Sequence, residues 1–213
     1  MLKIYTVPVS LYSAKVRIVL RHKGLDWRED RPPGGYGSAA YREVVPSGNV
    51  PTLRDGDLMI ADSEAITEYL NEAYPNPAML PGDAVQRAKT RERSRFHDTR
   101  LEPQLRALFP HFKAENRSDG FVRTQGIVIT EKLQQLAHLL DQAPVRPEDV
   151  LTLADCGFPI TFAWLDALPA AIGLKIDWPE PVSAYRVILE SRPAVAAELD
   201  TYRPVVAAWL AQA

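Results

Sequence analysis

The chain has 213 residues, 46% of them hydrophobic and 24% charged, which is globular composition and excludes a disordered or collagen-like chain. Its 25 basic and 27 acidic side chains leave a formal charge of -2, so no global field draws it to nucleic acid or to an acidic membrane surface. One cysteine, Cys156, excludes an intrachain disulfide, a CxxC redox pair and a cysteine-rich metal site. No apolar run reaches the roughly 18 residues needed to span a bilayer. The start Met1-Leu2-Lys3-Ile4-Tyr5 has no cleavable signal pattern, so a cytoplasmic setting is expected.

Taken in chain order, Leu2 to Val7 is β-rich and closed by Pro8, which predicts a first strand. Residues 13–24 carry Val16, Val19 and Leu20 at helical spacing and end at Gly24, which predicts a helix. Leu25 to Asp30 reads as a second strand, RPPGGYG at 31–37 as loop, and Ser38 to Val45 as a short helix. Val50 to Arg54 and Leu58 to Ile60 form a hairpin around Arg54-Asp55-Gly56-Asp57. Asp62-Ser63 then opens a helix with Ile66, Tyr69, Leu70 and Ala73 on one face.

The order βαβ, link, ββα predicts a four-stranded mixed sheet with helices packed on it. Two proline breaks, Pro75-Asn76-Pro77 and Pro81-Gly82-Asp83, mark a linker at 77–83. Beyond it, residues 84–108, 118–142, 153–172, 181–191 and 193–211 favour helix. The expected fold is therefore an α/β domain over 1–76 followed by an all-α domain over 84–213.

Four local features bear on chemistry. Ser10, between the first strand and helix, is either a plain helix N-cap or a hydroxyl donor beside an anion such as a thiolate; Tyr12 and Ser13 are neighbouring hydroxyls able to take the same role. Val50-Pro51 enters a strand, and a cis bond there would turn the Val50 backbone toward an added peptide strand. Asp62-Ser63 is either a cap or a cradle for an amino-acid head, with the helix N-terminus holding the carboxylate and the acid pairing with the ammonium. Thr152 and Asp155 make a variant capping box, with Leu151 and Cys156 at the staple positions; this is a folding device.

Together these residues resemble a cytosolic glutathione S-transferase of the serine type. The likeness runs through Val7-Pro8-Val9-Ser10-Leu11-Tyr12-Ser13-Ala14-Lys15-Val16-Arg17-Ile18, Asn49-Val50-Pro51-Thr52-Leu53, Asp62-Ser63-Glu64-Ala65-Ile66 and Leu151-Thr152-Leu153-Ala154-Asp155. It implies a thioredoxin-like N-terminal domain and a helical C-terminal domain. It implies glutathione as co-substrate, no metal, a small hydrophobic electrophile as second substrate, and a homodimer. Ser10 stands six residues before Val16, at the family serine that donates to the glutathione sulfur.

By the same resemblance Asn49, Val50, Pro51, Asp62 and Ser63 bind glutathione: Val50, followed by a cis Pro51, holds the cysteinyl backbone, Asn49 is a shorter donor where a lysine or glutamine often precedes Val-Pro, and Asp62 and Ser63 hold the γ-glutamyl head. Leu11, Tyr12, Phe109 and Phe112 are the candidates to line the electrophile pocket. The basic residue that often meets the glycyl carboxylate has no counterpart in Gly34-Gly35-Tyr36-Gly37-Ser38, so Arg31, Tyr36 or Asn49 takes its place. The alternatives are a glutathione-dependent cis–trans isomerase of a maleyl-type diacid, or a non-catalytic binding module on this fold.

Two further features admit bland readings. The basic stretch Arg87, Lys89, Arg91, Arg93, Arg95 and Arg100 reads as a solvated helix face rather than a nucleic-acid patch. His22, His97, His111 and His138 lack metal-site spacing.

Overall fold

A computed structural model describes residues 1–212. The chain divides into two compact units, Met1–Met79 and a second beginning at Leu80. Among the described residues no helix is long and apolar enough to cross a membrane.

The first unit carries β1 (Leu2–Tyr5), α1 (Leu11–His22), β2 (Trp27–Asp30), α2 (Ala39–Val44), β3 (Thr52–Asp55), β4 (Leu58–Ile60) and α3 (Ser63–Ala73). The sheet order is β2-β1-β3-β4, with β1 parallel to β2 and antiparallel to β3, and β3 antiparallel to β4. This is the expected four-stranded mixed sheet. β1 is shorter than the run Leu2 to Val7 foretold, because its bonding ends with the Thr6 N–H on the Asp30 carbonyl. Ile4, Leu53, Val16, Ile18, Leu20, Ile66 and Leu70 are fully buried, so the apolar faces of sheet, α1 and α3 close on one core.

Local chemistry sets the ends of these elements. Ser10, Ser38 and Asp62 each cap a helix by accepting a backbone N–H from three residues on. Gly24 stops α1 at φ +62, a conformation that disfavours any side chain, and Gly56 turns the β3–β4 hairpin at φ +57. Lys23, at the end of α1, is 8% exposed and donates to the carbonyls of Tyr74 (2.7 Å) and Pro77 (2.9 Å). Its charge thus rests at the C-terminus of α3, where carbonyls are orphaned.

The second unit is helical: α4 (Ala84–Phe96), α5 (Glu102–Arg106), α6 (Asp119–Asp141), α7 (Phe158–Ile172), α8 (Glu180–Glu190) and α9 (Pro193–Leu210). The single helix predicted over 84–108 is interrupted by a π-helical segment, His97–Leu101. Pro103 has no N–H to bond four residues back, and the preceding Glu102 N–H reaches five back to His97. The helix predicted over 153–172 likewise starts late. Leu153–Asp155 is a 3₁₀ turn, and α7 begins only at Phe158.

That turn anchors the unit. The Asp155 carboxylate is wholly buried and accepts from the Thr152 N–H (2.8 Å), Thr152 Oγ1 (2.6 Å), Tyr185 Oη (2.6 Å) and Arg93 Nη2 (2.8 Å). The capping box expected from Thr152 and Asp155 is therefore formed, and it also holds a buried ion pair between α4 and the turn. Burial opposes the charge on Arg93, but Asp155 and Tyr185 outweigh it and raise its pKa. Burial, reinforced by the Asp155 charge, pushes the Tyr185 phenol well up. Replacing Asp155 by Ala leaves Arg93 charged and buried without its counter-ion. Asp155→Ala is expected to cost about 3–5 kcal/mol, read as a lower urea midpoint at unchanged m value.

Candidate active site

Register places the three sequence motifs together. Tyr5 at the end of β1 pairs with Thr52 at the start of β3, and Ile60 at the end of β4 pairs with Leu53. The segment after β1, the segment before β3 and the segment after β4 therefore emerge at one end of the sheet. Tyr5 also pairs in parallel with Asp30, so Arg31, directly after β2, leaves at the same end.

Ser10 lies just before α1 and is half-buried. Its Oγ accepts the Ser13 N–H at 3.2 Å, and its own O–H meets no acceptor among the described residues. The cap reading is met, and because capping uses the oxygen it leaves the proton unengaged. Ser13 is fully buried with its Oγ unpartnered, and Tyr12 is half-buried and engaged elsewhere. Leu11 is 4% exposed.

The Val50-Pro51 peptide is cis. The Val50 side chain packs against the buried cluster of Tyr5, Tyr41 and Val45, while its backbone N–H and C=O meet no partner among the described residues. The preceding residue is pinned. Tyr41, on α2 and fully buried, donates from its hydroxyl to the Asn49 carbonyl at 2.9 Å and lies 3.0 Å from Thr52 Oγ1. Thr52 Oγ1 is itself 3.2 Å from that carbonyl. Burial raises the Tyr41 pKa, so this phenol stays a neutral donor. The Asn49 side chain is exposed and unpartnered among the described residues.

Asp62 caps α3 with Oδ1 on the Ala65 N–H at 2.9 Å, which leaves Oδ2 without a partner among the described residues. Ser63, the first residue of α3, is 9% exposed, and its hydroxyl is likewise unengaged. The start of α3 is tied to α1 by the Lys15–Glu64 ion pair, 2.5 Å long, with Lys15 1% exposed. Neither Tyr41 nor this pair is visible as a site element in the sequence. The only local sign was a lysine on the apolar side of a helix otherwise lined with Val16, Val19 and Leu20.

Among the described residues no group of three or more His, Cys, Asp or Glu is placed to hold a metal. Cys156 is buried. The basic stretch of α4 is largely engaged by its own surroundings. Arg87 meets the Gly82 carbonyl, Lys89 pairs with Glu92, Arg93 with Asp155 and Arg95 with Asp98. Phe109 and Phe112 lie in the second unit, in an aromatic cluster with Trp164 and Trp209.

Residues 4–78 match the family model for the N-terminal domain of glutathione S-transferases. A stringent starvation protein A homolog from Histophilus somni is 35% identical over 148 residues, covering 70% of this chain and 67% of that protein. The chain belongs to the glutathione S-transferase family. Within the family it is also similar to a maleylacetoacetate isomerase from Pseudomonas aeruginosa, at 42% identity over 97 residues. That match covers 42% of this chain and less than half, 45%, of the isomerase. The solved structure of a glutathione S-transferase from Rhodospirillum rubrum F11 superposes on this family member with a TM-score of 0.73 at 25% identity, covering 93% of this chain and 92% of the other.

In this family member the ion pair behind the site is open to direct test. Lys15→Met removes the counter-ion of a carboxylate that is only 12% exposed. The variant is expected to lose about 3 kcal/mol of stability, measured by denaturant unfolding, while Lys15→Arg loses appreciably less.

Proposed function

We propose that the protein is a glutathione transferase that uses Ser10 to hold the glutathione thiolate. The observation that carries this reading is the Ser10 hydroxyl, which caps α1 with its oxygen and keeps its proton free for an external acceptor. A free thiol titrates near pH 8.5 and is mostly neutral at pH 7. A donor to sulfur, at a helix N-terminus whose dipole also favours an anion, lowers that pKa and raises the nucleophilic fraction. Ser10 is a donor and not a nucleophile, so it requires no triad.

The remaining contacts follow from the unengaged groups at the same sheet end. Val50 offers one N–H and one C=O to the cysteinyl residue of glutathione, in the manner of an added strand. Ser63 and the first amides of α3 take the γ-glutamyl carboxylate, and Asp62 Oδ2 takes its ammonium. Arg31 is exposed and meets no carboxylate among the described residues, which favours it over Tyr36 and Asn49 for the glycyl carboxylate. In the reaction the sulfur lone pair forms a thioether bond to an electrophilic carbon, and the leaving group departs with its bonding pair. Holding both reactants supplies much of the acceleration. Homodimerisation belongs to the same reading; the exposed Leu58 and Met59 on the edge strand β4 favour it, and a monomer by sedimentation would count against it.

A second reading is favoured by the 42% identity to the Pseudomonas isomerase. There the same thiolate adds to the double bond of a maleyl-type diacid, the new single bond rotates, and sulfur leaves again with its electrons. Turnover of such a diacid without loss of glutathione separates this reading from conjugation. Absence of any binding heat at millimolar glutathione would sink both and leave a binding module on the transferase fold.

For Ser10→Ala, losing a hydrogen bond to an anion costs about 1.5–3 kcal/mol. That corresponds to about one to two pK units. Thiolate absorbance in the binary complex should therefore titrate at higher pH, and conjugation at pH 7 should fall about ten- to a hundredfold. An unchanged titration and rate would remove Ser10 from this role.

A further inference from the structure

The Tyr41 hydroxyl is a buried polar group that no step of the proposed reaction uses. It donates to the Asn49 carbonyl at 2.9 Å. The Thr52 hydroxyl is within reach of both, 3.0 Å from the phenol oxygen and 3.2 Å from that carbonyl. Tyr41 and Thr52 are fully buried. The turn leading to Asn49 does not need these hydroxyls for its closure. The Gly48 N–H already meets the Val45 carbonyl at 2.8 Å, and the Asn49 N–H meets Ser47 Oγ at 3.3 Å.

The carbonyl so held belongs to the peptide that carries the Val50 N–H. That peptide is trans and planar, so its C=O and N–H point in opposite directions. Drawing the carbonyl onto Tyr41 and Thr52 therefore turns the N–H away from them, and no acceptor meets it among the described residues. A carbonyl with fewer donors would leave the plane less firmly set.

Tyr41 is itself fixed at its backbone and at its ring. Ser38 Oγ accepts its N–H at 3.1 Å and donates in turn to the Pro33 carbonyl at 2.7 Å. The Tyr41 carbonyl accepts the Val45 N–H at 2.8 Å. Its ring meets Tyr5, at the end of β1, edge-on at 5.6 Å. A hydroxyl carried on a ring held in this way sets the peptide before any ligand arrives, which lowers the ordering cost of binding.

We propose that Tyr41 is a positioning residue for glutathione: its hydroxyl, acting through the Asn49 carbonyl, aims the Val50 N–H at the cysteinyl backbone and sets affinity rather than turnover. This rests on the reading of Val50 as the cysteinyl contact. It does not depend on Ser10, which acts at the sulfur. Calorimetric titration with S-methylglutathione tests it. That ligand keeps the peptide backbone and has no thiol, so an error over Ser10 does not enter. Tyr41→Phe keeps the ring and its packing and removes only the hydroxyl. Tyr69→Phe is the control, because it removes a phenol that donates to Asp55 Oδ2 at 2.8 Å, at the other end of β3. Tyr41→Phe should weaken S-methylglutathione about three- to tenfold, as the loss of one neutral hydrogen bond does, and Tyr69→Phe should change it less than twofold. In glutathione conjugation, KM for glutathione should rise at least threefold in Tyr41→Phe, with kcat within twofold of the wild type. A loss under threefold in Tyr41→Phe, an equal loss in Tyr69→Phe, or a fall in kcat at unchanged KM would each overturn the proposal. No binding of millimolar S-methylglutathione by the wild type would overturn the glutathione reading and this proposal with it.

Discussion

A lysine ammonium buried to 1% exposure must have a counter-charge close by, and in this chain that requirement fixes where two helices begin. Lys15 lies in the second turn of α1 and Glu64 is the second residue of α3, so their pairing brings the first turns of both helices to the same sheet end. Strand register brings the Val50 segment there too. The candidate site is thus assembled from three segments that end in half-satisfied groups: a serine proton, one peptide edge, and one carboxylate oxygen beside a helix start. Each group is partly consumed by the fold and partly left over.

That double use explains why capping and binding do not compete at Ser10 and Asp62. A hydroxyl has one proton and two lone pairs, and a carboxylate has two oxygens. Capping takes a lone pair of Ser10 and one oxygen of Asp62. The remainder points to nothing in the described chain. The bland reading of each residue was correct as local structure and still left room for the functional one.

The local devices were legible in the sequence because their partners lie within a few residues. The caps at Ser10 and Asp62, the Gly24 stop, the Asp55-Gly56 turn and the Thr152–Asp155 box are all of that kind. The long-range partners were not legible. Nothing near Tyr41 announces that its hydroxyl reaches Asn49 and Thr52, and nothing near Asp155 announces Arg93 and Tyr185. The two helices predicted too long failed for a related reason. Periodicity saw the apolar spacing of 84–108 and 153–172, but the breaks follow from the missing N–H of Pro103 and from the inward turn of Asp155. The aromatic cluster was half legible: Phe109 and Phe112 stood out, whereas Trp209 joins them only through the folding of α9.

The two units place unlike demands on their charges. In the first, the Lys15–Glu64 pair is consumed by the fold, while Arg31 and Asp62 Oδ2 lack partners among the described residues at one sheet end. In the second, Asp155 absorbs its surroundings so completely that its carboxylate has four donors and nothing to offer a ligand. Lys113 is the opposite case, an exposed cation that meets no acid among the described residues. A buried, fully satisfied polar group specifies packing, whereas an accessible, unengaged one stays open to water or to a ligand. By that criterion Asp155 belongs to the fold, while Ser10 and Asp62 serve the fold with one group each and keep another unengaged among the described residues.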